Sequence, residues 1–252
     1  RSPWVWISLL ILLSAGQKIW LISIQAIPFN SDEAIVGLMA RHILEGERPV
    51  FFYGQAYMGS LDAWLVAAGF AIFGSQVWVI RLVQIILYLI TIIVTIFTGR
   101  VVFQSWKHGL VAGVFLAFPT VNTTLYTTAS LGGYSEAILI GSLGLLLGFW
   151  MLDKENLRSF VWMGIWGLLL GLGLWANSLS LVFFFPMGIA LLVRTFHLNS
   201  PKKTSLFILT GVVGLLIGSS PWWMFAIQHG LGRLIAELGG TAVAVENISL
   251  MK

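Results

Sequence analysis

The chain has 252 residues, 58% of them hydrophobic and 10% charged, with 12 Trp, 17 Phe and a mean hydropathy of +0.92. A soluble globular domain has no use for that much apolar surface, and the alternating segments of roughly ten residues that mark a membrane β-barrel are absent. The net charge of +4 sits in short loops and leaves no nucleic-acid footprint, and without cysteine there is neither a disulfide framework nor thiolate chemistry. The composition predicts an all-α polytopic membrane protein.

The sequence opens Arg1-Ser2-Pro3-Trp4 and closes Ile248-Ser249-Leu250-Met251-Lys252. The expectation is a single transmembrane domain over 1–252 that is part of a longer chain. The first apolar segment is too long for a signal-peptide core.

A hydrocarbon layer about 30 Å thick takes roughly 20 helical residues. That places spans near 4–27, 77–99, 109–128, 133–152, 160–176, 178–194 and 205–226. Residues 61–73 are apolar but short, and loop charge decides what they do. If they do not span, Arg1, Arg100, Lys107, His108, Lys154, Arg158, Arg194, Lys202 and Lys203 all fall on the inner side. If they span, the rule fails. The expectation is therefore about seven spans from an inner N-terminus, with 29–73 an external loop carrying juxtamembrane helices.

Within that loop, Asn30 or Ser31 can cap a helix, and Glu33 stands three residues after Asn30 as in a capping box. Ile35, Leu38, Met39, His42 and Ile43 recur at helical spacing, and Gly46 and Pro49 supply a stop. The spacing predicts an amphipathic helix from about Ser31 to Glu45 lying on the membrane surface.

Asp32 and Glu33 open that helix. Acids there complement the helix dipole, and Glu33 has the capping geometry besides. Asp32, at headgroup level beside the bundle, can also accept a proton from an attacking hydroxyl or amine.

The run Asp32-Glu33-Ala34, then Ala40-Arg41, then Tyr53-Gly54-Gln55-Ala56-Tyr57-Met58-Gly59-Ser60-Leu61, resembles the N-terminal half of GT-C glycosyltransferases. The protein-mannosyltransferase and aminoarabinose-transferase group is the most similar. Phe73-Gly74-Ser75 with Val79-Ile80-Arg81-Leu82, and Gly171-Leu172-Gly173-Leu174 with Asn177, are similar to later family segments. The resemblance implies a GT-C-like bundle and a polyprenyl-phosphate sugar donor. It makes Asp32 the catalytic base of the first external loop. It makes Glu136, in Gly132-Gly133-Tyr134-Ser135-Glu136, the acid of the second external loop, which a helix-start role also accommodates.

The chain departs from the pattern at Tyr57-Met58-Gly59-Ser60-Leu61, where many members carry a basic residue before two prolines. Arg41, His42, Arg48 and Arg81 are the substitutes for binding the donor phosphate, although each can simply snorkel to headgroups. Tyr53, Gln55 and Tyr57 are the further binding candidates in the loop, and Glu33 joins them. Trp4, Trp6, Trp20, Trp78, Trp222 and Trp223 lie at span ends and read as interface belt residues. Gly164, Gly167, Gly171 and Gly173 line up for close helix contact. Asn177 reads as a turn residue. The histidines are scattered and form no metal constellation, which leaves a divalent metal to the acids alone.

The function this implies is single displacement at an anomeric carbon. A sugar moves from polyprenyl phosphate to a lipid, glycan or protein acceptor outside a bacterial or archaeal plasma membrane. The alternative is a non-catalytic scaffold of the same fold in a larger membrane complex. A transporter would need charges buried mid-span, and only Lys18 and the end-lying Arg81 offer any.

Overall fold

The computed structural model describes residues 2–152, 160–196 and 201–239. Arg1, Lys154 and Arg158, whose charges helped to set the expected orientation, lie outside the described residues. The elements are α1 (Pro3–Ser23), α2 (Ser31–Leu44), β1 (Phe51–Phe52), β2 (Gln55–Gly59), α3 (Leu61–Phe73), α4 (Val77–Phe103), α5 (Trp106–Ala117), α6 (Val121–Tyr126), α7 (Tyr134–Met151), α8 (Phe160–Ala176), α9 (Leu181–Phe196), α10 (Pro201–Gly218), α11 (Ser220–His229) and α12 (Leu231–Gly239). The fold is all-α and membrane-spanning, as composition required. Five helical stretches are long and apolar enough to cross a bilayer: α1, α4, α7, Ser178–Phe196 and α10. The helices α3 and α8 are apolar but shorter.

The 109–128 segment is not one helix. Phe118 leaves helical geometry at φ −119°, ψ 69°, because Pro119 disfavours an α conformation in the residue before it and brings no N–H of its own. Thr120 then caps α6. The Tyr88 hydroxyl donates to the Leu116 carbonyl at the break, 2.6 Å away. The chain from 106 to 130 still travels the length of α4. Arg100 sits over the Trp106 ring at one end, and Ser130 meets the Gln84 side at the other through Asp62.

A second difference lies near 205–226. The helix α10 begins at Pro201 and stops at Gly218, and α11 starts afresh with Pro221 in its first turn. Proline is tolerated there because a first-turn N–H has no helical acceptor anyway.

The loop 29–60 also holds a small antiparallel hairpin, β1 with β2, turning at Gly54 with φ 77°. The sequence reading did not anticipate it.

The helix α2 runs as expected from its cap: Asn30 Oδ1 accepts from Glu33 N–H at 3.0 Å. Its buried face is Glu33, Val36, Met39, Ala40 and Ile43, whereas Leu38 is exposed. The face is therefore turned toward α3 and α4 by about one position from the apolar spacing. Met39, Ala40 and Val36 join Val66, Ala67, Phe70, Val79 and Ile80 in one apolar cluster. This is what docks α2 on the bundle.

The helices α8 and α10 pack backbone to backbone. A Cβ on Gly167 would lie 2.0 Å from the Gly211 carbonyl oxygen, and one on Gly214 would lie 2.0 Å from that of Gly164. Small residues are what allow helices to approach this closely. Gly167→Leu is therefore expected to cost about 1–3 kcal/mol or more through overpacking. Thermal unfolding in detergent measures it; an unchanged midpoint would contradict the contact.

Candidate active site

One end of the bundle gathers α2, α3, the hairpin, residues 127–136 and the turn at Asn177. Several contacts knit these loops together. The Trp175 indole N–H donates to the Val50 carbonyl at 2.9 Å. Met58 pairs with Asn177 as a β-bridge, and Asn177 Nδ2 donates to the Gly132 carbonyl at 3.3 Å. Asn177 Oδ1 also accepts from Leu179 N–H, which makes it a turn residue as its position indicated. Gly59 is required here, since a Cβ would sit 2.3 Å from the Trp175 oxygen. Gly132 and Gly133 take φ of +82° and +81°, a region favouring glycine, and turn the chain into α7.

The half-buried Asp32 side chain makes no hydrogen bond or ion pair among the described residues. It lies within electrostatic range of Tyr134, as do Tyr57 and Tyr126. The Tyr126 and Tyr134 rings are 4.8 Å apart. Asp32 thus lies near a group of phenols drawn from β2, the end of α6 and the start of α7.

Glu33 points elsewhere. It is fully buried and held by Arg81, whose Nε and Nη2 donate to its two oxygens at 2.9 Å each. Arg81 Nη1 also donates to the Ile27 carbonyl. The two residues are therefore engaged with each other.

Arg41 is exposed and makes no side-chain hydrogen bond or ion pair among the described residues. It lines a groove of about 330 Å³ with Phe29, Gly37, Phe70 and Ile80. It follows Asp32 by nine positions on α2, two and a half turns at about 3.6 residues per turn. The two side chains therefore leave opposite sides of the helix.

His42 Nδ1 is 3.1 Å from the Tyr53 hydroxyl, which donates to Glu47 at 2.6 Å. Burial and then the Glu47 carboxylate push the Tyr53 phenol up to about 12, so it stays a neutral donor. Arg48 folds back onto the Ile43 and Glu47 carbonyls and stacks over Trp64. The Tyr57 hydroxyl donates to Gln55 at 2.7 Å.

Glu136 lies in the first turn of α7 and is 1% exposed. Neither of its carboxyl oxygens has a hydrogen-bond donor among the described residues. Beside it is Asp62, a residue the sequence reading passed over. Gln84 Nε2 donates to Asp62 Oδ1 at 2.8 Å, and Ser130 Oγ donates to Oδ2. Close by, Lys18 is fully buried and spends its ammonium on the Thr127 carbonyl and the Thr127 and Thr128 hydroxyls, at 2.8 to 2.9 Å. Among the described residues no three acids or histidines converge as a metal site.

This is a membrane-embedded helical bundle with acids gathered at one end. A family model, dolichyl-phosphate-mannose-protein mannosyltransferase, matches residues 60–225, well over half of the chain. No curated protein and no solved structure matches. The chain belongs to that family and is an integral membrane protein of the GT-C glycosyltransferase superfamily. The matched stretch contains Asp62, Arg81, Gln84, Ser130 and Glu136, whereas α2 with Asp32 precedes it.

Proposed function

We propose that this protein transfers a sugar from a polyprenyl-phosphate donor to an acceptor on the extracytoplasmic side of the membrane. The observation that carries this is Asp32: a half-buried carboxylate, unpartnered among the described residues, at the bundle end that also holds Glu136. An acceptor hydroxyl or amine approaching the phenol group would meet Asp32 as its proton acceptor. Attack at the anomeric carbon expels the lipid phosphate, and negative charge grows on its oxygens.

Fixed donors stabilise such charge best when they are already in place. The placement of the Tyr126 and Tyr134 phenols near Asp32, with their rings 4.8 Å apart, supports their hydroxyls in this role. Arg41 opens instead to a groove it shares with Phe29, Glu33, Phe70 and Gln76 on the other side of the helix, and so takes no part in stabilising charge beside Asp32.

The test is transfer of labelled sugar by the protein in liposomes, over a panel of polyprenyl-phosphate donors. Transfer with at least one donor is expected. No transfer with any donor would favour the scaffold reading, which the pairing of Arg81 with Glu33 also supports by removing one phosphate-binding cation.

The sidedness rests on loop charge and has its own test. Single cysteines at positions 32 and 107 are expected to label from opposite sides of the membrane. Labelling of both from one side would overturn the orientation.

A further inference from the structure

The carboxyls of Asp62 and Glu136 are neighbours, gathered around the Gln84 amide. Both are 1% exposed. The donors at this point are unevenly shared. Asp62 receives Gln84 Nε2 and Ser130 Oγ in good geometry, whereas Glu136 has only the looser approach of the Gln84 amide and of its own backbone N–H.

Nor does a cation among the described residues pair with either carboxyl. Lys18 reaches the neighbouring strand of chain but is taken up by Thr127 and Thr128, and Arg81, one turn from Gln84 on α4, is taken up by Glu33. An ionised carboxylate only accepts hydrogen bonds. Two of them side by side inside a bundle repel each other and leave buried acceptors unsatisfied, which is costly. One proton removes both difficulties, because it joins the pair in a short charge-assisted hydrogen bond.

We propose that Asp62 is the positioning residue for Glu136, through a carboxyl–carboxylate hydrogen bond in which the two acids share one proton. Gln84 and Ser130 fix the Asp62 end, and the proton fixes the Glu136 end. Glu136 is then held in one orientation at the start of α7 and adds a single negative charge, with Asp62, to the site. The idea that Glu136 serves sugar transfer rests on the function proposed above; the shared proton does not.

The test is infrared spectroscopy of the whole protein in lipid nanodiscs, with the carboxyl carbons of glutamate and, separately, aspartate isotopically labelled. A protonated-acid carbonyl band is expected at neutral pH. It should shift with one of the labels and vanish in Glu136→Gln, whose amide can donate to Asp62 and keep the fold. Asp62→Asn also offers a donor and should melt near the wild type, whereas Asp62→Leu leaves Glu136 without one and should melt lower.

Absence of the band, or its survival in Glu136→Gln, overturns the proposal. So does a melting temperature raised by Mg²⁺, Ca²⁺ or Mn²⁺ and restored by chelator in the wild type but not in Glu136→Gln, since a cation would then bridge the pair. None of these readouts requires sugar transfer, so their failure is distinct from failure of the transferase assignment.

Discussion

Removing Glu33 is expected to cost about 3–5 kcal/mol of stability, because it leaves the Arg81 guanidinium buried without its counter-ion. The pair is enclosed, with side-chain exposures of 7% for Arg81 and 0% for Glu33, and it is bidentate. Glu33→Ala and Arg81→Met should each lower the midpoint of thermal unfolding in detergent. Glu33→Leu combined with Arg81→Met should recover most of the loss, since an apolar pair of similar volume is often as stable as a buried ion pair. A double-mutant cycle measures the coupling directly. Should Glu33→Gln abolish sugar transfer while melting like the wild type, Glu33 would be a substrate ligand, as its place among the binding candidates has it, and not the anchor of α2.

The case of Glu33 shows what could and could not be read from the sequence. Its cap on α2 is local, three residues from Asn30, and the spacing alone predicted it. Its partner Arg81 is 48 positions away, and nothing in the spacing of either residue pairs them. Asp62 had a signal that went unused. A lone carboxylate in Leu-Asp-Ala-Trp-Leu-Val-Ala-Ala-Gly-Phe-Ala-Ile-Phe is costly in an apolar setting unless it is partnered, and Gln84 in α4 has the same character. Averaged hydropathy conceals both, since one polar residue hardly lowers the mean.

The same averaging carried a span across Phe118-Pro119, where proline geometry stops α5. The hairpin around Gly54 was lost for another reason: strands of two and five residues are too short for periodicity to reveal. The long apolar helices were legible because burial in a membrane demands length and apolarity together, and few other structures do.

Asp32→Asn is expected to reduce sugar transfer by a factor on the order of a hundred or more, the usual worth of a positioned general base. The substitution is nearly isosteric. Asparagine retains a carbonyl oxygen near the N-terminus of α2, and the cap on that helix belongs to Asn30 and Glu33, so folding should be little affected. It cannot accept the acceptor's proton, and only that chemical capacity is withdrawn. Donor binding should therefore persist, because Asp32 acts on the acceptor's proton and not on the donor phosphate. The pattern to look for is a lower turnover at unchanged melting temperature and unchanged retention of the polyprenyl-phosphate donor. Glu33→Gln should give the reverse, a lower melting temperature first and a loss of turnover only as the protein unfolds. Two adjacent acids would then separate cleanly, one by chemistry and one by packing. Equal transfer by Asp32→Asn and the wild type would remove Asp32 as the base, and the proton acceptor would have to be sought at the Asp62–Glu136 pair.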